Sequence, residues 1–363
     1  MISVYECRDC GRTYELSAGA PWRCECGHAL DFQGSALSLP DGAPPAHLDR
    51  DCGLWTFDSA LPVDRRVTLG EGWTPLVDAP DWNVAFKLES LFPTGSFKDR
   101  GAAVMLSLAD ALGVDRVLED SSGNAGAAVA TYAARAGIDA EIYVPADVKA
   151  AKLRAIERAG ADVVRVEGDR QAVTDACVDA IADGGWYASH AWHPSFFAGT
   201  ATVAFEIAAQ RGWDAPDAVV TPLGHGTLFL GAYRGFRLLA GAGWIDDMPR
   251  LYGAQAAGAA PIVAARQGEA AAAGGNAAAD GIQIAAPARG DQILGAIEDS
   301  GGDAVAIDEA TTEQQLERLH RSGFYTEPTC AVAPAALETL REAGEIGQEE
   351  DVVVPLTGSG LKT

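Results

Sequence analysis

Beyond about residue 51, short β-branched apolar runs alternate with stretches whose apolar positions recur at helical spacing. The pattern predicts a helix over Ala102–Leu112 and a strand at Val117-Leu118. A turn at Ser121-Ser122-Gly123 then opens a helix near Ala125–Ala136. Strands at Ala140–Val144 and Ala161–Val166 bracket a helix over Lys149–Ala159, and a further helix runs near Arg170–Ala182. The run Ala218-Val219-Val220 precedes a Gly-rich turn and another helix, and Asp351–Pro355 reads as a closing strand. Strand–helix alternation of this kind argues for an α/β chain with mostly parallel sheets. The Ala- and Gly-heavy stretch Ala254–Ala279 reads as a helix plus a mobile loop. No repeat of fixed period appears. Residues from about Gln33 to Asp51, with Pro40, Pro44 and Pro45, read as a linker that sets off a small N-terminal module.

The length of 363 residues exceeds one ordinary domain. At 48% hydrophobic and 21% charged, the chain can bury a core. Acidic residues number 51 against 27 basic ones, a net charge of −24. A surface of that sign repels nucleic acid and anionic lipid, so neither is expected as a partner. Only five residues are Lys: Lys87, Lys98, Lys149, Lys152 and Lys362. The acid-rich, Lys-poor composition suits high salt, where screening removes self-repulsion; an ordinary acidic cytosolic protein would also fit. No apolar run reaches the roughly 20 residues a membrane span needs. The first ten residues lack the basic and apolar regions of a secretory signal, so a cytoplasmic location is expected.

Four of seven Cys fall within the first 26 residues, as Cys7-x-x-Cys10-Gly11 and Cys24-x-Cys26-Gly27. Each Gly follows its second Cys, where a tight turn lets amides approach sulfur. Four thiolates suit tetrahedral zinc. A redox pair or a metal-free remnant is the alternative, and His28 is a spare ligand or a surface residue.

Four segments carry the candidate chemistry. Lys98, in Ser96-Phe97-Lys98-Asp99-Arg100-Gly101, stands at a helix start, where the dipole lowers an amine's pKa and suits it to attack a carbonyl. A surface ion pair with its charged neighbours is the competing reading. Ser121, Ser122, Gly123 and Asn124 lie between a strand and a helix, as an anion site or a plain N-cap. Gly224, His225, Gly226, Thr227 and Leu228 form a second such turn, and the two glycines let backbone approach a phosphate. No Lys-Ser/Thr pair follows it, which excludes a nucleotide P-loop. Thr357, in Leu356-Thr357-Gly358-Ser359-Gly360, ends a strand at the sheet edge where open α/β folds place ligands.

These motifs fall in a characteristic order: GEGWTPL at 70–76, PTGSFKDRG at 93–101, SSGNAGAA at 121–128, the turn at 224–228 and PLTGSGLK at 355–362. The chain thereby resembles the fold-type II pyridoxal-phosphate enzymes, and among them the threonine synthases. The resemblance implies two open twisted, mostly parallel sheets flanked by helices, as in tryptophan synthase β chains, with a zinc-ribbon-like module at 1–34. It implies a larger α/β domain from 35–97 and 198–363, a smaller one from 98–197, and a homodimer. By resemblance, Lys98 would hold the cofactor as a Schiff base and act as general base. Asn124 would bond the cofactor's 3′ oxygen, and Ser121 to Asn124 the substrate carboxylate. Gly224 to Leu228 would cradle the 5′-phosphate, and Thr357 would face the pyridine nitrogen. The activity implied is conversion of O-phosphohomoserine and water to threonine and phosphate.

The chain departs from that family at His193–Thr200. Phe196 stands where a phosphate-binding Arg is usual, and Ala125 replaces a hydroxyl. Arg100, Lys149, Lys152 and Arg154 are the replacement cations on offer. β-Elimination or β-replacement on serine, threonine or an O-activated serine is therefore the alternative reaction. A non-catalytic binding protein with a ribbon module is a third reading. Arg289 and Asp291 form a candidate specificity loop, and Glu327-Pro328-Thr329 a turn near the cofactor ring or an ordinary N-cap.

Overall fold

The computed structural model describes residues 4–34 and 37–362, with Ala151 and Lys152 described by their backbone alone. Three strands open the chain: β1 (Val4–Cys7), β2 (Thr13–Glu15) and β3 (Leu30–Phe32). After a 3-10 segment at Arg50–Ala60 come β4 (Leu76–Ala79), β5 (Val84–Lys87) and α1 (Lys98–Ala111). Next are β6 (Arg116–Glu119), α2 (Asn124–Ala136), β7 (Asp139–Pro145), α3 (Ala150–Arg158), β8 (Asp162–Val166), α4 (Arg170–Ala180) and β9 (Trp186–Tyr187). Then follow α5 (Pro194–Gln210), β10 (Ala218–Pro222), α6 (Thr227–Gly241), β11 (Arg250–Ala256), α7 (Pro261–Gln267) and α8 (Glu269–Ala272). The chain closes with α9 (Gly290–Ser300), β12 (Ala304–Ile307), α10 (Glu309–Arg321), α11 (Pro328–Glu342) and β13 (Val352–Pro355).

The strands form three sheets. A small antiparallel one has the order β2-β1-β3. A parallel four-stranded sheet runs β8-β7-β6-β9. A six-stranded sheet runs β12-β11-β10-β13-β5-β4, and within it only the edge strand β4 is antiparallel. The central strands β5, β10 and β13 are buried throughout, as mainly apolar strands covered on both faces are, with Lys87 at the end of β5 buried among them.

The stretch Ala254–Ala279 differs from its helical reading. Its first residues complete β11, a buried interior strand of the large sheet. Small residues win there because Leu223 lies against the strand: a Cβ on Gly253 would sit 2.4 Å from Leu223 Cδ2. Packing overrides the low strand propensity of Ala and Gly. The remainder is α7, α8 and a loop tied down by Asn276, whose amide donates to Ile307 O at 2.8 Å. The expected linker is also fastened, by Trp244 Nε1 to Pro40 O at 3.0 Å and Gly42 N to Ala242 O at 3.1 Å.

Helices α1, α5 and α6 stack through missing side chains. A Cβ on Gly199 would fall 2.1 Å from Arg100 O, and one on Gly231 2.3 Å from Thr200 Oγ1. Beneath this stack lies a buried charge network. Arg100 bonds Glu89 through Nε and Nη2, each at 2.7 Å, and Glu206 through Nη1 at 2.5 Å and Nη2 at 2.8 Å. Lys87 Nζ meets Glu206 at 2.7 Å. Two cations thus balance two carboxylates, which is what burial of all four demands. Burial pushes the Glu206 carboxyl up, but Arg100 and Lys87 outweigh it and bring it down to about 2.

Glu206→Gln leaves the two cations under-neutralised and is expected to cost about 3–5 kcal/mol in urea denaturation at neutral pH. Because folding lowers this carboxyl's pKa, its contribution is complete above the ordinary value of 4.5 and is lost as pH falls from there to about 2. The variant's stability should therefore fall less steeply than the parent's across that window. Equal slopes would place the acid sensitivity elsewhere.

Candidate active site

Lys98 is the first residue of α1, as its sequence context requires. The neighbours that suggested a surface ion pair point away from it. Arg100 enters the buried network, and Asp99 turns back to accept from the amide and hydroxyl of Thr94. Among the described residues no hydrogen bond or ion pair holds the Lys98 ammonium, which lies 4.2 Å from the Phe97 ring centroid. Burial lowers its pKa to about 8, against the pull of Glu327 and Glu119 and with help from Lys362 and Arg170. An amine in that range has a free-base fraction near neutrality far larger than an ordinary lysine's, and that fraction is available as nucleophile or base.

The loop after β6 delivers Ser121, Ser122, Gly123 and Asn124 to the start of α2. The turn is tight: a Cβ on Gly126 would lie 1.8 Å from Ser121 O. No side chain caps α2, so a plain N-cap is not what this loop provides, and its first residues stay partly open. Asn124 donates through Nδ2 to both Glu327 oxygens at 3.0 Å and accepts from Lys362 Nζ at 2.6 Å. Glu327 is half-buried and packs against Gly358, where an added Cβ would come within 2.3 Å of its carboxyl. The structure thus brings the Glu327 turn to the site.

The turn after β10 is similarly constrained. Gly226 adopts φ +76°, and a Cβ there would sit 2.5 Å from Ile293 Cδ1. The amides of Gly224 to Leu228 have no acceptor among the described residues, and they gather at the N-terminus of α6. Thr200 Oγ1 props this turn by donating to Thr227 O at 2.9 Å. Thr357, buried after β13, has its hydroxyl 3.3 Å from Cys330 Sγ and its carbonyl accepting from Phe97 N at 3.1 Å. The site therefore lies where the carboxyl ends of β6, β10 and β13 and the start of α1 converge.

Apart from His225, sequence reasoning missed the wall beside Lys98. Glu119 and His190 share a 2.6 Å hydrogen bond, and the His190 and His225 rings lie 5.4 Å apart. Arg170, at the start of α4, donates to His225 Nε2 at 3.5 Å. Burial raises the Glu119 carboxyl well above its usual range and depresses both imidazoles, His225 to about 3. Glu119 Oε2, Ser189 Oγ and His225 Nδ1 are buried without a partner among the described residues. The one available signal was the strand-end position of Glu119; the rest is tertiary.

Several sequence candidates fall away. Phe196 is fully buried in the core against Gly101, whose Cβ would be 2.1 Å from the ring. Arg100 is consumed by the charge network, while Lys149 and Arg154 are exposed on α3 and its approach. The Lys152 side chain lies outside the described residues. Arg289 is no specificity residue: it is buried and binds Asp31 Oδ1 at 3.1 Å, Leu30 O at 2.8 Å and Trp192 O at 2.5 Å. Desolvation of a guanidinium demands such partners. Asp291 is exposed.

In the N-terminal module, Cys7, Cys10, Cys24 and Cys26 converge, with Cys7–Cys26 and Cys10–Cys24 sulfur separations of 3.5 Å. Gly11 and Gly27, at φ +72° and +92°, return their amides to Cys7 O and Cys24 O at 2.8 Å. His28 is exposed, its Nδ1 3.5 Å from Cys26 Sγ.

Residues 67–358 match the family described as pyridoxal-phosphate dependent enzyme. The chain is 33% identical to a threonine synthase of Methanocaldococcus jannaschii, covering 99% of this chain and 93% of that one. A threonine synthase of Methanosarcina acetivorans is 32% identical over 98% of this chain and 91% of its own. Among solved structures, threonine deaminase isoform 2 of Solanum lycopersicum superposes with a TM-score of 0.69. That likeness covers 89% of this chain and 87% of the other at 23% identity, a likeness of fold. The fold is that of the fold-type II enzymes.

Lys98 should react with an amine-directed acylating reagent along a curve centred near pH 8, because its protonated form gives way there. Peptide mapping against pH measures this. A curve centred at the ordinary lysine value of about 10.4 would show a solvated amine.

Proposed function

The chain belongs to the pyridoxal-phosphate dependent enzymes, and we propose that it is a lyase of the threonine-synthase kind, acting on O-phosphohomoserine. The observation that carries this is the unpaired, desolvated amine of Lys98 set among Asn124, Thr357 and an amide turn without acceptors. The residues fit the cofactor. Five amides without an acceptor among the described residues, at a helix N-terminus, suit a phosphate, and glycine is required at position 226 of that turn. When bound, pyridoxal phosphate supplies an aldehyde for the lysine and a ring that takes up electrons from the substrate's α carbon.

In this reading Lys98 would hold the cofactor and would carry the proton to and from the substrate's α carbon. Gly224, His225, Gly226, Thr227 and Leu228 bind the phosphate. Asn124 donates to the 3′ oxygen, and Ser121, Ser122, Gly123 and Asn124 hold the substrate carboxylate. Thr357 presents a neutral hydroxyl to the ring nitrogen, which moderates electron withdrawal. With Phe196 in the core, the substrate's own phosphate falls to Arg170, a cation that acts on Lys98 from the start of α4. The same absence of a buried Arg favours a second reading, β-elimination or β-replacement on serine, threonine or an O-activated serine.

We extend the proposal to zinc at Cys7, Cys10, Cys24 and Cys26. Bonds of 2.3 Å in a tetrahedron set sulfur atoms about 3.8 Å apart, close to the separations here. No described helix is long and apolar enough to cross a membrane, and we read the enzyme as a cytoplasmic homodimer using a free amino-acid substrate.

Lys98→Ala should lower turnover at least about a thousandfold and remove the visible absorbance of the cofactor–lysine pair. Absorbance that borohydride still traps would move the role to another lysine. Phosphohomoserine, threonine, serine and O-acetylserine, assayed in high salt for phosphate and ammonia, separate the two reactions. Phosphate release with threonine supports the first; ammonia without phosphate supports the second. Metal analysis after a mild chelator wash should return one zinc per chain, and Cys24→Ser should lose it and unfold the module. A metal-free module of unchanged stability would overturn the assignment.

A further inference from the structure

Lys362 has no part in the roles assigned above, yet it enters the same site. It lies in the 3-10 turn Gly360–Lys362, which is fixed in place. Ser359 N bonds Gly95 O at 2.9 Å, Gly360 N bonds Tyr325 O at 3.1 Å, and Thr326 and Ser359 form a bridge. The aliphatic stem crosses Gly95 so closely that a Cβ there would meet Lys362 Cδ at 2.9 Å. The stem's path is thereby set, and the ammonium arrives 2.6 Å from Asn124 Oδ1.

We propose that Lys362 is a positioning residue for the cofactor: it fixes the orientation of the Asn124 amide and places a second positive charge beside Lys98. This rests on the reading of Lys98 and Asn124 given above. An asparagine amide has two ends of nearly equal shape, and a flip exchanges donor for acceptor. An ammonium only donates, so it holds Oδ1 toward itself. Nδ2 must then face the opposite way, toward Glu327 at 3.0 Å, where it can also meet an oxygen of the cofactor. Glycine at 95 and 358 leaves room for both flanking side chains.

The second effect is electrostatic. Lys98 faces Glu327 and Glu119, which favour its charged form, and Lys362 and Arg170, which oppose it. His190 and His225 complete the ring of titratable neighbours, both depressed by burial and by cations including Lys98. Without Lys362 the two carboxylates gain influence, and the Lys98 nitrogen binds its proton more tightly. Burial lowers the Lys362 pKa, and the nearby charges of Glu327 and Asp99 oppose that shift. The two lysines therefore divide the work: one reacts, the other aligns.

The test uses the cofactor-loaded protein and its visible band, titrated with pH, in the parent, Lys362→Met, Lys362→Gln and Lys362→Arg. The Met variant should keep the band but raise its titration midpoint by about one pH unit, a tenfold gain in proton affinity. The Gln variant, which keeps a donor without the charge, should lie between, and the Arg variant should return most of the shift. If the Met variant does not fold, the Gln and Arg variants carry the comparison. Midpoints that coincide in all variants, or an Arg variant no better than Gln, overturn the proposal. Borohydride trapping with peptide mapping keeps the failures apart. Cofactor found on Lys362, or a band surviving Lys98→Ala, defeats the underlying assignment; cofactor on Lys98 with an unmoved midpoint defeats this inference alone.

Discussion

Arg100 is clamped by Glu89 and Glu206 with all three side chains fully buried, and this clamp decides where α1 begins. The guanidinium satisfies two carboxylates at once, so the helix can neither rotate nor slide without leaving an uncompensated buried charge. Lys98 stands two residues earlier and inherits the precision. Glu89 follows β5, and Glu206 belongs to α5, which packs against α1 through Gly199. The charge network therefore ties the large sheet to the helix that starts the site. An amine can be left unpaired at Lys98 because its neighbour Arg100 is so fully paired.

The same logic explains what changed beside the site. A buried Arg at position 196 would need its own carboxylates, and the nearby Glu119 is already paired with His190. Phe196 instead fills the hollow over Gly101. Polarity begins beside the Phe196 ring, 6.1 Å from that of His190, where Glu119, His190 and His225 gather and Arg170 meets His225. That wall is poor in fixed positive charge, and its imidazoles are neutral near pH 7 by burial. A dianion would gain from it mainly by recharging those rings. This is a softer grip than a bidentate guanidinium provides.

Much of the site was legible because turn chemistry is local. Gly226 must be glycine for its positive φ, and Gly126 because a carbonyl sits where a Cβ would be; both stand in recognisable strings. Lys98 was legible from its helix start, and the four Cys from their spacing. What was hidden depends on distant partners. Arg289 looked like a loop residue until Asp31 closed on it across 258 positions. His190 acquired meaning only beside Glu119, 71 residues earlier. The strand β11 was hidden because its small residues carry little strand signal, and its register comes from Leu223 and the neighbouring sheet. The competing surface-pair reading of Lys98 failed because its charged neighbours had buried partners elsewhere.

The strand order β10-β13-β5 has a consequence for how the chain holds together. A segment at 352–355 is inserted between one at 84–87 and one at 218–222, so the middle of the large sheet is laced from three remote stretches. A protease nick on the exposed Glu269–Ala271 stretch would not free either fragment. The later piece carries β13, and the earlier one carries both strands that flank it. Two such fragments, made separately, each expose the hydrogen-bonding edges that the other completes, which makes this sheet a natural seam for reassembly from halves.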